Sequence, residues 1–153
     1  IDWRKPDKFD QSVHRFPQAF EVLHPPIRRL NGSDNANSLV LHLCWRGRSM
    51  ILPGDLEPPG TAVLVNLPRP SAGSILMAPH HGSLRMDATS VLEWARPRET
   101  IVSGGPRASK PEVHDMLSMH GSNVHVTALV GAIRVQIGKE GEVCIEDWDF
   151  RGW

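Results

Sequence analysis

With 153 residues, 40% of them apolar and 22% charged, the chain is long enough for one domain with a real core and too short for two of ordinary size. Seventeen basic residues balance seventeen acidic ones, which excludes a global basic field for tight, non-specific nucleic-acid binding, although Arg28 with Arg29 and Arg46 with Arg48 form local basic pairs. No run of about 18 apolar residues occurs, so nothing reads as a membrane span, and eight histidines tilt the composition mildly towards metal or acid–base chemistry.

The chain begins Ile1-Asp2-Trp3-Arg4, neither a methionine start nor an apolar signal region, and reads as cut from something longer. Residues 1–18 are polar and broken by proline, an arm or linker ahead of a domain over 19–153. Residues 19–23 predict a first strand that ends at His24-Pro25-Pro26. After a loop over 27–37, residues 38–45 predict a strong strand. Leu39, Leu41, Leu43 and Trp45 share one face of it, and Val40, His42 and Cys44 the other. Both faces are largely apolar, as in a strand between two layers. Arg46-Gly47 predicts a tight hairpin into a strand over 48–52.

Residues 58–66 predict a short helix with proline near its first turn. A strand over 75–78 follows, then a helix from an Asp87 cap to Ala95, stopped by Arg96-Pro97. Residues 99–103 predict a strand. Ser109 and Glu112 are spaced as a capping box for the next helix, which Gly121 closes. Three strands, over 124–127, 132–137 and 143–148, complete the chain, the last two as a hairpin across Gly138 to Gly141. Strands with two or three intervening helices make an α/β or α+β layered domain. Cys44 and Cys144 fit no disulfide framework or zinc-finger spacing and read as core thiols.

The chemistry concentrates in Ile75-Leu76-Met77-Ala78-Pro79-His80-His81-Gly82-Ser83. Pro79 lacks a backbone donor, so the two histidines fall on the loop just past the strand end. Loops at the carboxyl ends of strands are where ligands gather in α/β sheets. Asp55, within Gly54-Asp55-Leu56-Glu57, ends another strand. A carboxylate and an imidazole at adjacent strand ends suit a divalent metal, and Gly82 lets the backbone come close to what they hold. The plainer alternatives are a polar loop whose imidazoles bond to nearby carbonyls, and an aspartate that merely forms a turn. His42 and His125, alternating within strands, read as hydrogen-bonded structural histidines, His114 and His120 as helix-surface or helix-end groups, and Trp94 as a core residue.

Asp34-Asn35-Ala36-Asn37-Ser38-Leu39-Val40-Leu41, then Gly54-Asp55-Leu56-Glu57, then Ala78-Pro79-His80-His81-Gly82-Ser83 resemble the second half of a metallo-β-lactamase-fold hydrolase. Their order and spacing are most similar to the soluble hydrolase domain of ComEC-type competence (DNA-uptake) proteins, over about residues 19–145. The resemblance implies the second half of a four-layer αββα fold with a one- or two-metal hydrolase centre holding Zn²⁺ or Mn²⁺. It implies Asp55 as a metal-bridging carboxylate, His80 as the late metal histidine and His81 beside it as a further catalytic group. Gly82, Ser83 and Asn37 are the candidate substrate contacts. The family's first metal motif, His-x-His-x-Asp-His, is absent, and Ser109-Lys110-Pro111 stands where the family often has Gly-His-Pro.

These implications favour a metal-dependent phosphodiesterase or nuclease acting in DNA uptake, with this chain as a fragment that is inactive alone. A nucleic acid or other phosphodiester is then the expected substrate. The intact protein would be membrane-embedded through other domains with this domain extracytoplasmic; without the competence resemblance, the expectation is cytoplasmic. The alternative is a degenerate, non-catalytic module with a binding or scaffold role. An uncovered sheet face would favour self-association of the fragment.

Overall fold

The computed structural model describes residues 20–70, 74–84 and 87–148, so the arm expected over residues 1–18 lies outside the described residues. Apolar segments form β1 (Phe20–His24), β2 (Val40–Trp45) and β3 (Arg48–Leu52), paired antiparallel in that order. The β2–β3 hairpin turns on Arg46 and Gly47, both at positive φ, as the two-residue spacing predicts. Three more strands extend the sheet beside β3, parallel to it and to one another: β4 (Ile75–Met77), β5 (Glu99–Val102) and β6 (Asn123–Val126).

A parallel neighbour cannot be reached by a tight turn. The chain makes each parallel step through a helix: α1 (Gly60–Val65), α2 (Ala88–Ala95) and α3 (Pro111–Ser118). A short α4 (Thr127–Val130) then leads to a separate antiparallel hairpin, β7 (Ala132–Ile137) with β8 (Val143–Trp148). The layered α/β class expected from sequence is therefore present, as a six-stranded mixed sheet with helices and a two-stranded sheet.

The core lies against one face of the large sheet. Val40, Ile51, Leu76, Val102 and Val126 from its strands cluster with Leu64 of α1, Val91 and Leu92 of α2, and Val113 and Leu117 of α3. Trp94 is buried as expected, and its indole Nε1 donates to Leu67 O at 3.0 Å. Asp87 caps α2 by accepting the Ser90 N–H. Arg96, in a left-handed conformation, ends the helix by donating its N–H to Leu92 O at 2.8 Å.

Four expectations are corrected. The two-layer burial of the 38–45 strand does not hold: only Val40 of β2 is buried, while Leu41, Leu43 and their neighbours Met50 and Leu52 are half-buried. Leu39, on that face, is 50% exposed, as is 55% of Phe20 on the adjoining strand. Both cysteines are exposed rather than in the core. Cys44 sits where the cover over β2 runs out, and Cys144 occupies an outward position between half-buried Val143 and Ile145. The Ser109–Glu112 capping box does not form. Pro111, suited to the first helical position, starts α3 instead, and the Ser109 hydroxyl bonds to Pro106 O at 2.9 Å. Gly121 likewise lies beyond the helix end, its N–H donating to Ser118 O at 2.8 Å.

Candidate functional site

Because β3 to β6 run parallel, the segments following them emerge along one edge of the sheet. Asp55 and Glu57 follow β3, His80 and His81 follow β4, Ser103 and Gly104 follow β5, and Thr127 follows β6. The edge is knitted together by backbone. The His80 N–H donates to Gly54 O at 3.0 Å, the Ala78 N–H to Ile101 O at 2.8 Å, and the Gly104 N–H to the Thr127 hydroxyl oxygen at 3.0 Å. Thr127, expected as a strand end, opens α4 and ties the β5 and β6 ends together.

Pro79 through Gly82 form a tight 3₁₀-type turn with left-handed backbone at its centre, φ 47° at His80 and 57° at His81. Such a conformation is costly for residues with a Cβ and persists only where the surroundings hold it. Here Gly82, itself at φ +75°, seats the turn against Val102 and Val113, whose methyl carbons would lie 3.1 and 3.0 Å from a Cβ at that position. The outcome is two neighbouring imidazoles set almost perpendicular, with centroids 6.4 Å apart.

Each imidazole meets a different carboxylate. His81 Nδ1 lies 2.6 Å from Ser103 O, and a carbonyl only accepts, so Nδ1 carries a proton. Its Nε2 faces Asp55 Oδ1 at 3.5 Å. In the neutral imidazole a lone pair thus points towards a carboxylate, and a proton or a cation between them satisfies both. His80 Nδ1 lies 3.0 Å from Glu57 Oε1 but off the line of a hydrogen bond, so this buried nitrogen has no well-aligned partner. The Glu57 carboxylate accepts from Asn35 Nδ2 at 3.1 Å and from the Ser33 hydroxyl at 3.3 Å. The Asn35 bond leads in holding the Glu57 carboxyl below the usual carboxylate range; Ser33 and the His80 imidazole add to it, against some desolvation.

The sequence-derived site residues distribute as follows. Asp55, His80 and His81 share the edge, but Asp55 faces His81, and His80 faces Glu57. Gly82 is buried beneath the turn, and Ser83 follows it with its N–H donating to His80 O at 3.0 Å. The Asn37 amide braces its own loop, accepting the Leu30 N–H at 2.8 Å and donating to Leu30 O at 3.1 Å. Sequence reasoning assigned Glu57 and Asn35 no part. The available signal was an apolar Leu56 between two carboxylates: Leu56 is fully buried while Asp55 and Glu57 stay partly exposed.

Oxygen and imidazole donors suit a divalent ion, and the Asp55–His81 pair fits one as two of its ligands. Among the described residues no group of three His, Cys, Asp or Glu side chains is placed to hold a metal. The histidines read as structural do bond within the sheet: His125 Nε2 to Glu99 Oε2 at 2.9 Å and His42 Nε2 to the Ser49 hydroxyl at 2.5 Å.

No protein-family model and no solved structure matches this chain. Over 86 residues, 56% of its length, it is 34% identical to ComE operon protein 3 of Bacillus subtilis (strain 168), and the matched stretch makes up 11% of that protein. The chain therefore spans only a small part of that relative, and what it is similar to is one segment of a much longer protein.

Proposed function

We propose that this chain is part of a metal-dependent hydrolase of phosphodiester bonds with a role in DNA uptake, and that the sheet edge carrying Asp55, His80 and His81 is its contribution to the reacting centre. The observation that carries the proposal is the His81 imidazole: its proton is committed to Ser103 O and its free nitrogen faces the Asp55 carboxylate. That arrangement leaves two donors converging on one point, as a cation site requires. Similarity to a segment of ComE operon protein 3 supports the link to DNA uptake. A helix layer on one sheet face, with Leu41, Leu43, Met50 and Leu52 half-buried on the other beside buried Ile75 and Ile101, supports a half of the αββα sandwich that the motifs imply.

A divalent ion held there would supply Lewis acidity and lower the pKa of bound water. The chain's own residues orient the site. Ser103 O fixes the His81 ring, Gly54 O fixes the His80 backbone, and Glu57 stands against the His80 imidazole. Catalytic zinc centres take three protein ligands, so those beyond this pair would come from outside the described residues.

The test is calorimetric titration of the full 153-residue chain with Zn²⁺ and Mn²⁺, beside an assay on bis(p-nitrophenyl) phosphate. Weak binding with little turnover is expected, lost on Asp55→Asn and on His81→Ala and kept on His114→Ala at the exposed surface of α3. Binding indifferent to both site substitutions would refute the metal assignment. One observation favours a second reading, a non-catalytic module with a binding or scaffold role: Ser109-Lys110-Pro111 stands where the family often has Gly-His-Pro. Metal-independent DNA binding by the chain, unaffected by Asp55→Asn, would select it.

A further inference from the structure

Glu57 is the most heavily braced carboxylate at the sheet edge. Asn35 holds Oε1, Ser33 holds Oε2, and the Glu57 N–H donates to Asn35 O at 3.3 Å. The loop that supplies these groups is itself closed by Asn37 on Leu30 and by the Ala36 N–H on the Ser33 hydroxyl at 3.1 Å. The start of α1 presses against it so closely that a Cβ on Gly60 would come 2.3 Å from Ala36 O. A surface carboxylate with no task would not need a loop built around it. What this one faces is the buried Nδ1 of His80.

We propose that Glu57 is a positioning residue that fixes the ring and the tautomer of His80, so that His80 presents Nε2 as its reacting nitrogen. A lone pair on Nδ1 would face a carboxylate oxygen at 3.0 Å and be repelled, whereas a proton there is attracted. Nδ1 is buried, with no other partner among the described residues, so water cannot compensate the wrong choice. The proton therefore sits on Nδ1, although a histidine side chain in water prefers it on Nε2. The same logic, through the Ser103 carbonyl, sets His81. Both imidazoles then offer Nε2, and the second ring nitrogen of each is spent on orientation, as is usual for histidines that bind a cation. The geometric part stands on contacts alone. Its significance for catalysis rests on the function proposed above.

The experiment is long-range ¹H–¹⁵N correlation spectroscopy of the histidine-labelled full chain at about pH 8.5, where an ordinary imidazole is neutral. The His80 signals are assigned by their loss in His80→Gln. Nδ1–H is expected at His80 in the wild type, and a shift of population to Nε2–H in Glu57→Ala. If Glu57→Ala does not fold, Asn35→Ala serves instead. It frees only the carboxylate oxygen that faces His80, and a mixture of tautomers is expected. Nε2–H in the wild type, or a tautomer unmoved by either variant, overturns the proposal. A Zn²⁺ titration of the same samples separates it from the parent reading, because that reading places the ion on Asp55 and His81 and the tautomer depends on Glu57. A tautomer shift without any Zn²⁺ binding sinks the metal assignment and leaves the positioning role standing. Zn²⁺ binding that Asp55→Asn abolishes, with an unmoved tautomer, does the reverse.

Discussion

The substitution Gly82→Ala tests whether the histidine turn is held by backbone conformation, by packing, or by both. At φ +75° an alanine pays the left-handed penalty, about 1–2 kcal/mol. Its Cβ would also lie 3.0 Å from a Val113 methyl, 3.1 Å from a Val102 methyl and 3.7 Å from Leu117 Cδ1. These side chains belong to a buried cluster and cannot swing away, and such overpacking costs about 1–3 kcal/mol. The sum is about 2–5 kcal/mol. Three other glycines isolate its parts. Gly47, at φ +74° with nothing within 4 Å, carries the backbone component alone, and Gly47→Ala should cost about 1–2 kcal/mol. Gly60 lacks positive φ but would place its Cβ 2.3 Å from Ala36 O and 2.7 Å from Leu56 Cδ1, so Gly60→Ala carries the contact component, less a small gain in helix propensity. Gly105 has neither, and Gly105→Ala should be neutral or stabilising by up to about 1 kcal/mol through the unfolded chain. Urea unfolding of the four variants gives the comparison directly. If Gly82→Ala costs no more than Gly47→Ala, the turn is not seated against β5 and α3, and the argument for rigid imidazoles fails.

Two further outcomes follow from shifted ionisations. Cys44 is exposed, but desolvation by the atoms around its sulfur first, and the Glu21 carboxylate second, push its thiol up. In a Cys144→Ser background, iodoacetamide alkylation of Cys44 should therefore have its midpoint above that of free cysteine, and Glu21→Gln should lower it; a midpoint below free cysteine contradicts the assignment. The Glu57 carboxyl is held low, so its contribution is present above the ordinary glutamate range and lost as pH falls through the depressed folded value. The urea midpoint of the wild type should exceed that of Glu57→Gln at about pH 6, with the gap narrowing towards about pH 3; a gap independent of pH would show that the carboxylate is not held.

Much of the fold was legible because its signals are local. Alternation, a two-residue turn, the Asp87 cap and the Arg96-Pro97 stop each report on a few neighbouring residues, and those elements form where the sequence puts them. The capping box failed because two local rules competed and Pro111 outweighed Ser109. The exposure of Cys44 and Leu39 was not legible. Alternation tells which residues share a face, whereas what covers that face depends on distant segments. The site shows the same division. That Asp55, His80 and His81 meet at one edge follows from strand ends in a parallel sheet. Which carboxylate faces which imidazole does not, because it depends on the left-handed turn at 80 and 81.

That turn also explains how two adjacent histidines come to lie at the same edge. In an extended strand, neighbouring side chains point to opposite faces, so at most one of them could reach a given edge. The left-handed pair at His80 and His81 instead keeps both rings at the same sheet edge, nearly perpendicular to each other. Opposite them, Asp55 and Glu57 flank the fully buried Leu56 and project from one short segment. Two residues in sequence on one side thus meet two alternate residues on the other, one pair partly shielded and one more exposed to solvent. The shielded pair is tied to the Ser33–Asn37 loop and the exposed pair to the end of β5. Rigid support from different parts of the fold lets each pair hold its own geometry, which a centre assembled from several strand ends requires.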